Sequence, residues 1–221
     1  MHDDDLTRLD RHNRALLSRW GSHDPRALGF SDSASQDKRF DVILGRCDFT
    51  GKSVLDAGCG YGDLAHRLAG RFRGLQYIGI DQQREYVAAA RLRAPRAMAV
   101  EFREGDFSTM ALPDADIVVA SGALSYRATQ PRFHEGCVAR LFEACGDALL
   151  FNLLDAIRLF PSDVIIGHDI AAMERVCRSL ADDVTLIRGY LYADVTFVMR
   201  RGASRAAPSS AETSSAAFAQ P

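Results

Sequence analysis

The chain has 221 residues, of which 47% are hydrophobic and 25% are charged, a composition typical of one globular domain with short appendages. A formal net charge of −2 shows no excess of basic residues, so we predict no nucleic-acid partner. No apolar run reaches the length of about 20 residues that a membrane-spanning helix needs, so we also predict no membrane partner.

Two helical patterns precede the first predicted strand. Apolar residues recur with helical spacing among charged ones over residues 1–20, and a second such pattern covers residues 33–45. Between them, Asp24-Pro25 and Gly29 indicate a turn. We therefore predict two N-terminal helices joined by a short turn.

Strands and helices alternate along the middle of the chain. Strands that are separated by helices form right-handed βαβ units, so the strands of this region should make a parallel sheet. The apolar runs predict strands at 53–56, 76–80, 99–103, 117–120 and 148–153, with helices at 62–71, 85–92 and 133–145.

The C-terminal part of the chain follows a different pattern. Two strand-like runs at 184–188 and 195–200 are too close in sequence for a parallel crossover, so we predict an antiparallel pair. Residues 202–221 are rich in Ala, Ser and Pro with few residues that could form a core, which predicts a disordered tail.

Residues 54–62 read Val-Leu-Asp-Ala-Gly-Cys-Gly-Tyr-Gly and are the most informative segment of the chain. An apolar strand ends in Asp56, three alternate glycines follow, and an amphipathic helix begins. Glycine allows a positive φ and a close approach to a ligand, and a helix N-terminus presents free N–H groups. This pattern predicts a turn that holds a nucleotide-like cofactor.

The glycine spacing separates two kinds of cofactor. A dinucleotide fingerprint has the order G-x-G-x-x-G, and its third glycine would fall here on Asp63, whose carboxylate would repel a pyrophosphate. Asp56, by contrast, suits a ligand with an amino group. The order D-x-G-x-G-x-G resembles the first motif of the class I S-adenosylmethionine-dependent methyltransferases, and the resemblance covers roughly residues 20 to 200. The alternative is a strand-to-helix turn whose glycines are only structural.

The resemblance implies a fold of the α/β class, the Rossmann-like methyltransferase fold. Its sheet is parallel with a C-terminal antiparallel hairpin, and helices cover both faces. It also implies that residues 1–45 form a helical cap or lid, that residues 46–201 form the methyltransferase domain, and that residues 202–221 form the tail.

The resemblance implies S-adenosylmethionine as the cofactor, and we predict no metal site. Asp56 would pair with the ammonium group of the cofactor, Asp81 with the ribose hydroxyls, and Asp106 with the adenine amino group. Asp81 could instead be a helix N-cap, Asp106 a turn residue and Cys59 a small packing residue. The other predicted cofactor residues are Gly58, Cys59, Gly60, Gly62, Gln82, Phe107, Ser121, Gly122 and Arg39, with Gln36 as an alternative to Arg39.

The predicted acceptor is a small molecule. The chain has Ser121-Gly122-Ala123-Leu124 where methyltransferases of adenine N6 or glutamine amides resemble one another in an N/D-P-P-aromatic motif. Transfer is an in-line displacement, which needs a general base only if the acceptor must lose a proton. Tyr126 and His23 are the predicted catalytic residues. Other candidates on the acceptor side are His134, His168, Tyr192, Arg127 and Asn152.

Two further functions are compatible with the sequence: a nicotinamide-dependent oxidoreductase, and a methyltransferase-like module that binds without catalysis. The acceptor, the atom that is methylated and the oligomeric state are left open. Five cysteines without a C-x-x-C pair argue against a disulfide framework, and the acidic N-terminus lacks the features of a signal peptide. We therefore predict a cytoplasmic protein.

Overall fold

The computed structural model describes residues 2–160 and 162–202, which contain a seven-stranded sheet. The strands are β1 (Ser53–Ala57), β2 (Gln76–Asp81), β3 (Ala99–Glu104), β4 (Ala115–Ala120), β5 (Cys145–Leu154), β6 (Asp183–Ile187) and β7 (Asp194–Arg200). Their order across the sheet is β3-β2-β1-β4-β5-β7-β6. The first five strands are parallel, and β7 lies antiparallel to both β5 and β6.

Helices connect the strands and precede them. The helices are α1 (Asp3–Trp20), a short 3-10 helix (Pro25–Leu28), α2 (Ser33–Leu44), α3 (Asp63–Arg71), α4 (Arg84–Leu92), α5 (Phe133–Glu143) and α6 (Ile170–Leu180). Several begin at an aspartate whose side chain accepts a backbone N–H of the first turn, as Asp32 does for α2 and Asp169 for α6. These caps fix where the chain enters α2 and α6, whereas α1, α3, α4 and α5 have no side-chain cap.

Side chains of the strands alternate between two apolar layers. Leu55 of β1 and Val118 of β4 belong to one layer, which α5 and α6 complete. Val54 and Ile117, their neighbours in sequence, belong to the other layer, which α2, α3 and α4 complete. The sheet is therefore buried on both faces, as a parallel sheet requires.

The predicted fold is confirmed: a parallel sheet with an antiparallel C-terminal pair and helices on both faces. Several boundaries differ from the prediction by one to three residues. The helix predicted to reach residue 145 ends at Glu143, and β5, predicted from residue 148, begins at Cys145. Sequence analysis also missed α6, although Asp169 caps it through the N–H of Ala172 at 2.9 Å. The predicted tail covers residues 202–221, of which residues 203–221 lie outside the described residues.

The sheet order places a crevice beside β1. The chain leaves β1 toward β2 on one side, whereas β4 and β5 lie on the other side, so β1 and β4 are neighbours at a switch in strand order. Ligands of open α/β sheets bind at such a point, beyond the carboxyl ends of the strands. Among the described residues, no helix is both long and apolar enough to cross a membrane.

Candidate cofactor and acceptor site

The glycine turn after β1 is closely packed. Gly58 has a φ of +80°, in the region that favours glycine, and a Cβ there would lie 2.5 Å from the Cβ of Ala123. A Cβ at Gly60 would lie 2.9 Å from Leu28 of the 3-10 helix. The turn therefore fits between the loop after β4 and the N-terminal segment only because these positions lack side chains.

Asp81, the last residue of β2, organises this turn. One carboxylate oxygen accepts the N–H of Gly60 at 2.9 Å, and the other accepts the N–H of Gln83 at 2.8 Å. An ionised carboxylate has about four acceptor positions, so about two remain for a ligand. Burial raises the pKa of Asp81 to about 6, against the two backbone hydrogen bonds, which lower it. Asp81 is not the helix N-cap of the alternative hypothesis, because Gln83 occupies that position before α4. It closes the turn before the helix and keeps acceptor capacity for a ligand.

Asp56 lies inside β1 and is almost fully buried. Its carboxylate accepts a hydrogen bond from the Tyr77 hydroxyl at 2.5 Å. Burial, followed by the nearby charges of Asp81 and Asp63, raises its pKa to about 7, although the Tyr77 hydrogen bond opposes this shift. A buried carboxylate with a raised pKa favours a cationic partner, because a positive charge would stabilise its ionised form.

One cavity opens at the carboxyl ends of the strands and brings the predicted residues together. Of the predicted cofactor residues, Asp56, Gly58, Cys59, Gly60, Asp81, Gln82, Asp106, Phe107, Ser121, Gly122 and Arg39 line it. Gly62 does not line it. A Cβ at Gly62 would meet the Phe102 ring at 2.6 Å, so this glycine allows the turn to pack on β3.

Unpartnered polar atoms point to a ligand in this cavity. The side-chain oxygens of Asn13, Ser121 and Ser125 are buried and have no hydrogen-bond partner within the described residues, and all three residues line the cavity. A buried polar atom without a partner costs about 1–3 kcal/mol. A bound molecule or ordered water in the cavity would supply the missing hydrogen bonds.

Asp106 and Phe107 lie in the loop after β3. A carboxylate oxygen of Asp106 accepts the N–H of Ser108 at 2.8 Å, which is the turn that sequence analysis gave as an alternative. Asp106 also lines the cavity beside Phe107. The turn and a ligand contact are therefore compatible.

Two side chains of α2 reach the cavity. Arg39 donates from Nε to Asp194 at 2.5 Å, and its guanidinium lies 4.8 Å from the centre of the Phe30 ring. Gln36 donates from Nε2 to Asp63 at 3.1 Å, so it is already paired with the first turn of α3. Arg39 is the better candidate of the two for a cofactor carboxylate, because it is positively charged and its hydrogen bond to Asp194 uses only Nε.

The acceptor-side candidates Tyr126 and His134 also line the cavity. Burial raises the pKa of Tyr126 to about 12, so its phenol keeps its proton at neutral pH. His134 shares a hydrogen bond of 2.8 Å between Nε2 and the Tyr126 carbonyl oxygen. A carbonyl oxygen only accepts, so Nε2 carries the proton and the lone pair lies on Nδ1. Burial lowers the pKa of His134, which keeps the ring neutral.

The remaining sequence candidates lie outside the cavity lining. His23 approaches Arg93 at 3.4 Å and packs against Tyr61, with 5.6 Å between the ring centres. His168 is bonded to the Leu124 carbonyl at 2.8 Å, and Arg127 donates to the Ser162 carbonyl at 2.8 Å. Tyr192 is 74% exposed, whereas Asn152 is fully buried behind the cavity wall.

Sequence analysis missed several residues of the cavity wall. Asn13 lies on the same face of α1 as Leu9, four residues earlier, and both are buried against the cavity. A polar residue on the apolar face of a helix was the available signal. Leu28, Phe30 and Phe40 belong to the N-terminal segment that was predicted to be a lid. No sequence pattern distinguished the remaining residues of the wall, which include Asp63, Leu64, Tyr86, Ala123, Ser125, Phe133, Leu154 and Ile165.

Residues 54–147 match the family model described as a methyltransferase domain. This part of the chain is therefore similar to methyltransferase domains. Trans-aconitate 2-methyltransferase from Variovorax paradoxus strain S110 is 36% identical over 106 residues, which are 46% of this chain and 38% of that protein. The match thus spans about two fifths of that relative's length.

Solved structures share the fold over most of the chain. Magnesium protoporphyrin IX methyltransferase from Synechocystis PCC 6803, with bound S-adenosylmethionine, has a TM-score of 0.66 and 18% identity, covering 91% of this chain and 99% of that chain. Small RNA methyltransferase HEN1 has a TM-score of 0.64 and 15% identity, covering 78% of this chain and 26% of that chain. The resemblance to class I S-adenosylmethionine-dependent methyltransferases is confirmed, and the oxidoreductase alternative gains no support.

Proposed function

We propose that this protein transfers a methyl group from S-adenosylmethionine to a small-molecule acceptor. The observation that carries the proposal is the cavity itself. It places three carboxylates, Asp56, Asp81 and Asp106, beside a glycine turn that has no room for side chains. A ligand with an ammonium group, a ribose and an adenine would satisfy all three.

The chain's residues fit this cofactor group by group. Asp56 would hold the ammonium, Asp81 the ribose hydroxyls and Arg39 the carboxylate, while the loop at Ser121-Gly122 would lie against the methionine part. Gln82 and Phe107 would border the adenosine part. When bound, the cofactor supplies a methyl group on a positively charged sulfur, and the protein's part is to orient the acceptor and exclude water.

On the acceptor side, we propose His134 rather than His23 as the base where a base is needed. His134 lines the cavity, and its Nδ1 has no hydrogen-bond partner within the described residues. The hydrogen bond from Nε2 to the Tyr126 carbonyl holds the ring in place, so Nδ1 could take a proton from an acceptor hydroxyl. Tyr126, which keeps its own proton, would orient the acceptor as a hydrogen-bond donor.

The proposed acceptor is small and carries a substantial apolar part. Phe30, Leu154 and Ile165 give the cavity an apolar wall, and the Ser125 hydroxyl offers one unpaired polar group there. Trans-aconitate and magnesium protoporphyrin IX are the small molecules in the names of two similar proteins. Absence of a nucleic-acid or membrane partner stays part of the proposal, and the formal net charge of −2 supports its nucleic-acid half. A cytoplasmic location stays part of it as well, supported by cysteines that are all free.

Calorimetry followed by a transfer assay tests the proposal. S-adenosylhomocysteine and S-adenosylmethionine should bind the protein, and NAD should not. Methyl-labelled S-adenosylmethionine should then label at least one compound in a panel of hydroxylated aromatics, hydroxy acids and unsaturated carboxylic acids. Binding of NAD alone would favour the oxidoreductase. Cofactor binding without transfer to any compound would favour the non-catalytic module.

A further inference from the structure

A buried series of polar contacts joins α2 to the C-terminal strands behind the cavity. Asp194, the first residue of β7, accepts a hydrogen bond on Oδ1 from Nε of Arg39 at 2.5 Å. The same oxygen accepts Nδ2 of Asn152 at 3.1 Å. Oδ1 of Asn152 in turn accepts the N–H of Gly122 at 2.7 Å. One carboxylate oxygen therefore holds two parts of the cavity wall, the Arg39 guanidinium and the loop after β4.

These contacts are shielded from water. The Asp194 side chain is 7% exposed and that of Arg39 is 14% exposed, and Asn152 is fully buried. Water has little access to Asp194 and Asn152, so these two side chains depend on each other and on their neighbours for hydrogen bonds. The orientation of the Asn152 amide follows from this dependence, because only its oxygen can face the Gly122 N–H and only its nitrogen can face Asp194.

The contact with Asp194 uses one edge of Arg39 and leaves the other available. Nη1 and Nη2 have no hydrogen-bond partner among residues 2–160 and 162–202. Nη1 lies 3.4 Å from the place where a Cβ at Gly122 would stand. A guanidinium binds a carboxylate with two parallel hydrogen bonds when these outer nitrogens are free.

We propose that Asp194 is a positioning residue for cofactor binding, which fixes the Arg39 guanidinium toward the cofactor carboxylate and, through Asn152, fixes the backbone at Gly122. This inference rests on the proposed function, since it takes Arg39 to bind the amino-acid part of the cofactor. The C-terminal strand pair thereby contributes to a cofactor site whose other residues come from the N-terminal helices, the parallel strands and the loops that follow these strands.

The test compares two ligands that differ only in the amino-acid part. S-adenosylhomocysteine has the carboxylate, and 5′-methylthioadenosine has the same nucleoside without it. The substitution Asp194→Asn keeps the shape and the Oδ1 acceptor but removes the charge. We expect calorimetry to show about tenfold weaker binding of S-adenosylhomocysteine and a change of less than about twofold for 5′-methylthioadenosine. An equal loss for both ligands, or no loss for either, would overturn the proposal.

A matched control uses the same strand pair. Asp183→Asn removes an aspartate of β6 whose salt bridge with Arg200 is solvent-exposed, and neither residue lines the cavity. This variant should bind both ligands as the unmodified protein does. If Asp183→Asn shows the same selective loss, a change in net charge explains the result and Asp194 has no positioning role.

A double substitution tests whether Asp194 acts through Arg39. In an Arg39→Gln background, Asp194→Asn should cause no further loss of S-adenosylhomocysteine binding, whereas a full additional tenfold loss would contradict the mechanism. If Asp194→Asn unfolds, Asp194→Glu keeps the charge, moves the carboxylate by one methylene and should show the same selectivity. Failure of the unmodified protein to bind S-adenosylhomocysteine would refute the proposed function itself. If the unmodified protein binds S-adenosylhomocysteine and Asp194→Asn binds it equally well, only the role of Asp194 is refuted.

Discussion

Two walls of the cavity are built in different ways. The strand-end wall consists of Asp56, Gly58, Gly60, Asp81 and Asp106, which lie in or directly after consecutive parallel strands. The covering wall consists of Phe30, Tyr126, His134 and Ile165, which come from loops and a helix start far apart in sequence, together with Leu154 at the end of β5. The first wall is acidic with a packed glycine turn, and the second is mostly aromatic and apolar.

The two walls are held in place by different interactions. Sheet hydrogen bonds fix the strand-end wall, because neighbouring parallel strands end at the same edge. Side-chain packing between distant segments fixes the covering wall, so its residues can vary without disturbing the sheet. On the proposed function, the first wall binds the cofactor and the second selects the acceptor.

Changing the glycine turn should have the largest effect. Gly58→Ala would place a Cβ 2.5 Å from Ala123 at a φ of +80°. We expect the free energy of unfolding to fall by about 2–4 kcal/mol, measured by urea denaturation, together with loss of S-adenosylhomocysteine binding. Gly189→Ala is the control, because its φ is +83° but nothing lies within 4 Å of the added Cβ. Equal losses in the two variants would show that the turn is not closely packed.

Removing the proposed base, His134, should lower turnover of the acceptor and leave cofactor binding unchanged. His134→Gln keeps a nitrogen that can donate to the Tyr126 carbonyl but removes the Nδ1 lone pair. We expect turnover of a hydroxyl acceptor to fall by about 100-fold or more, with S-adenosylhomocysteine affinity unchanged. Turnover of a carboxylate acceptor should stay the same, because a carboxylate has no proton to lose at neutral pH.

His12→Gln is the control for this prediction. His12 packs edge-on against Tyr126, with 6.4 Å between ring centres, and does not line the cavity. Unchanged turnover of a hydroxyl acceptor in His134→Gln would remove His134 as the base. A loss of cofactor affinity in His134→Gln would instead show that His134 contributes to cofactor binding.

The buried carboxylate of Asp56 makes the strand-end wall sensitive to pH. Its pKa is about 7 in the folded protein, against about 3.9 in an unfolded chain. The folded state therefore favours the protonated form, and the resulting stability is complete below about pH 4 and lost as the pH rises through about 7. Asp56→Asn should stabilise the free protein by roughly 2 kcal/mol at pH 8 and have little effect at pH 4.

Urea denaturation at the two pH values measures this effect. The same variant should bind S-adenosylhomocysteine more weakly at pH 8, since it lacks the charge that would pair with the ammonium. If Asp56→Asn is less stable than the unmodified protein at pH 8, then ionising Asp56 does not destabilise the free protein, and the prediction is wrong.

The smallest effect is expected at Tyr126. Its pKa of about 12 keeps the phenol protonated, so Tyr126→Phe removes a hydrogen-bond donor and no base. Turnover should change by less than about tenfold, with no change in its pH dependence, whichever acceptor is used. Loss of the basic limb of the pH profile, or a fall comparable to that of His134→Gln, would restore Tyr126 as a catalytic residue.

The two walls also differ in how far sequence predicted them. The five parallel strands and the acids at their ends could be predicted from the sequence, because hydrophobic periodicity and glycine spacing are local properties of the chain. His23 was also predicted to be a catalytic residue, but in the structure it lies against Arg93 and Tyr61, outside the cavity lining. Asn152 was predicted to touch the acceptor, and it instead supports Gly122 from behind the wall.

By itself, the sequence determined the α/β class, the parallel core, the glycine turn and the acids Asp56, Asp81 and Asp106, since each depends on residues that are close together in the chain. Tertiary structure alone decided that β7 lies between β5 and β6, which brings Asp194 to Arg39 across 155 positions of sequence. It also decided which of the candidate histidines meets the cavity. Contacts of this kind depend on how separate elements pack, and packing leaves no periodic signal in a single sequence.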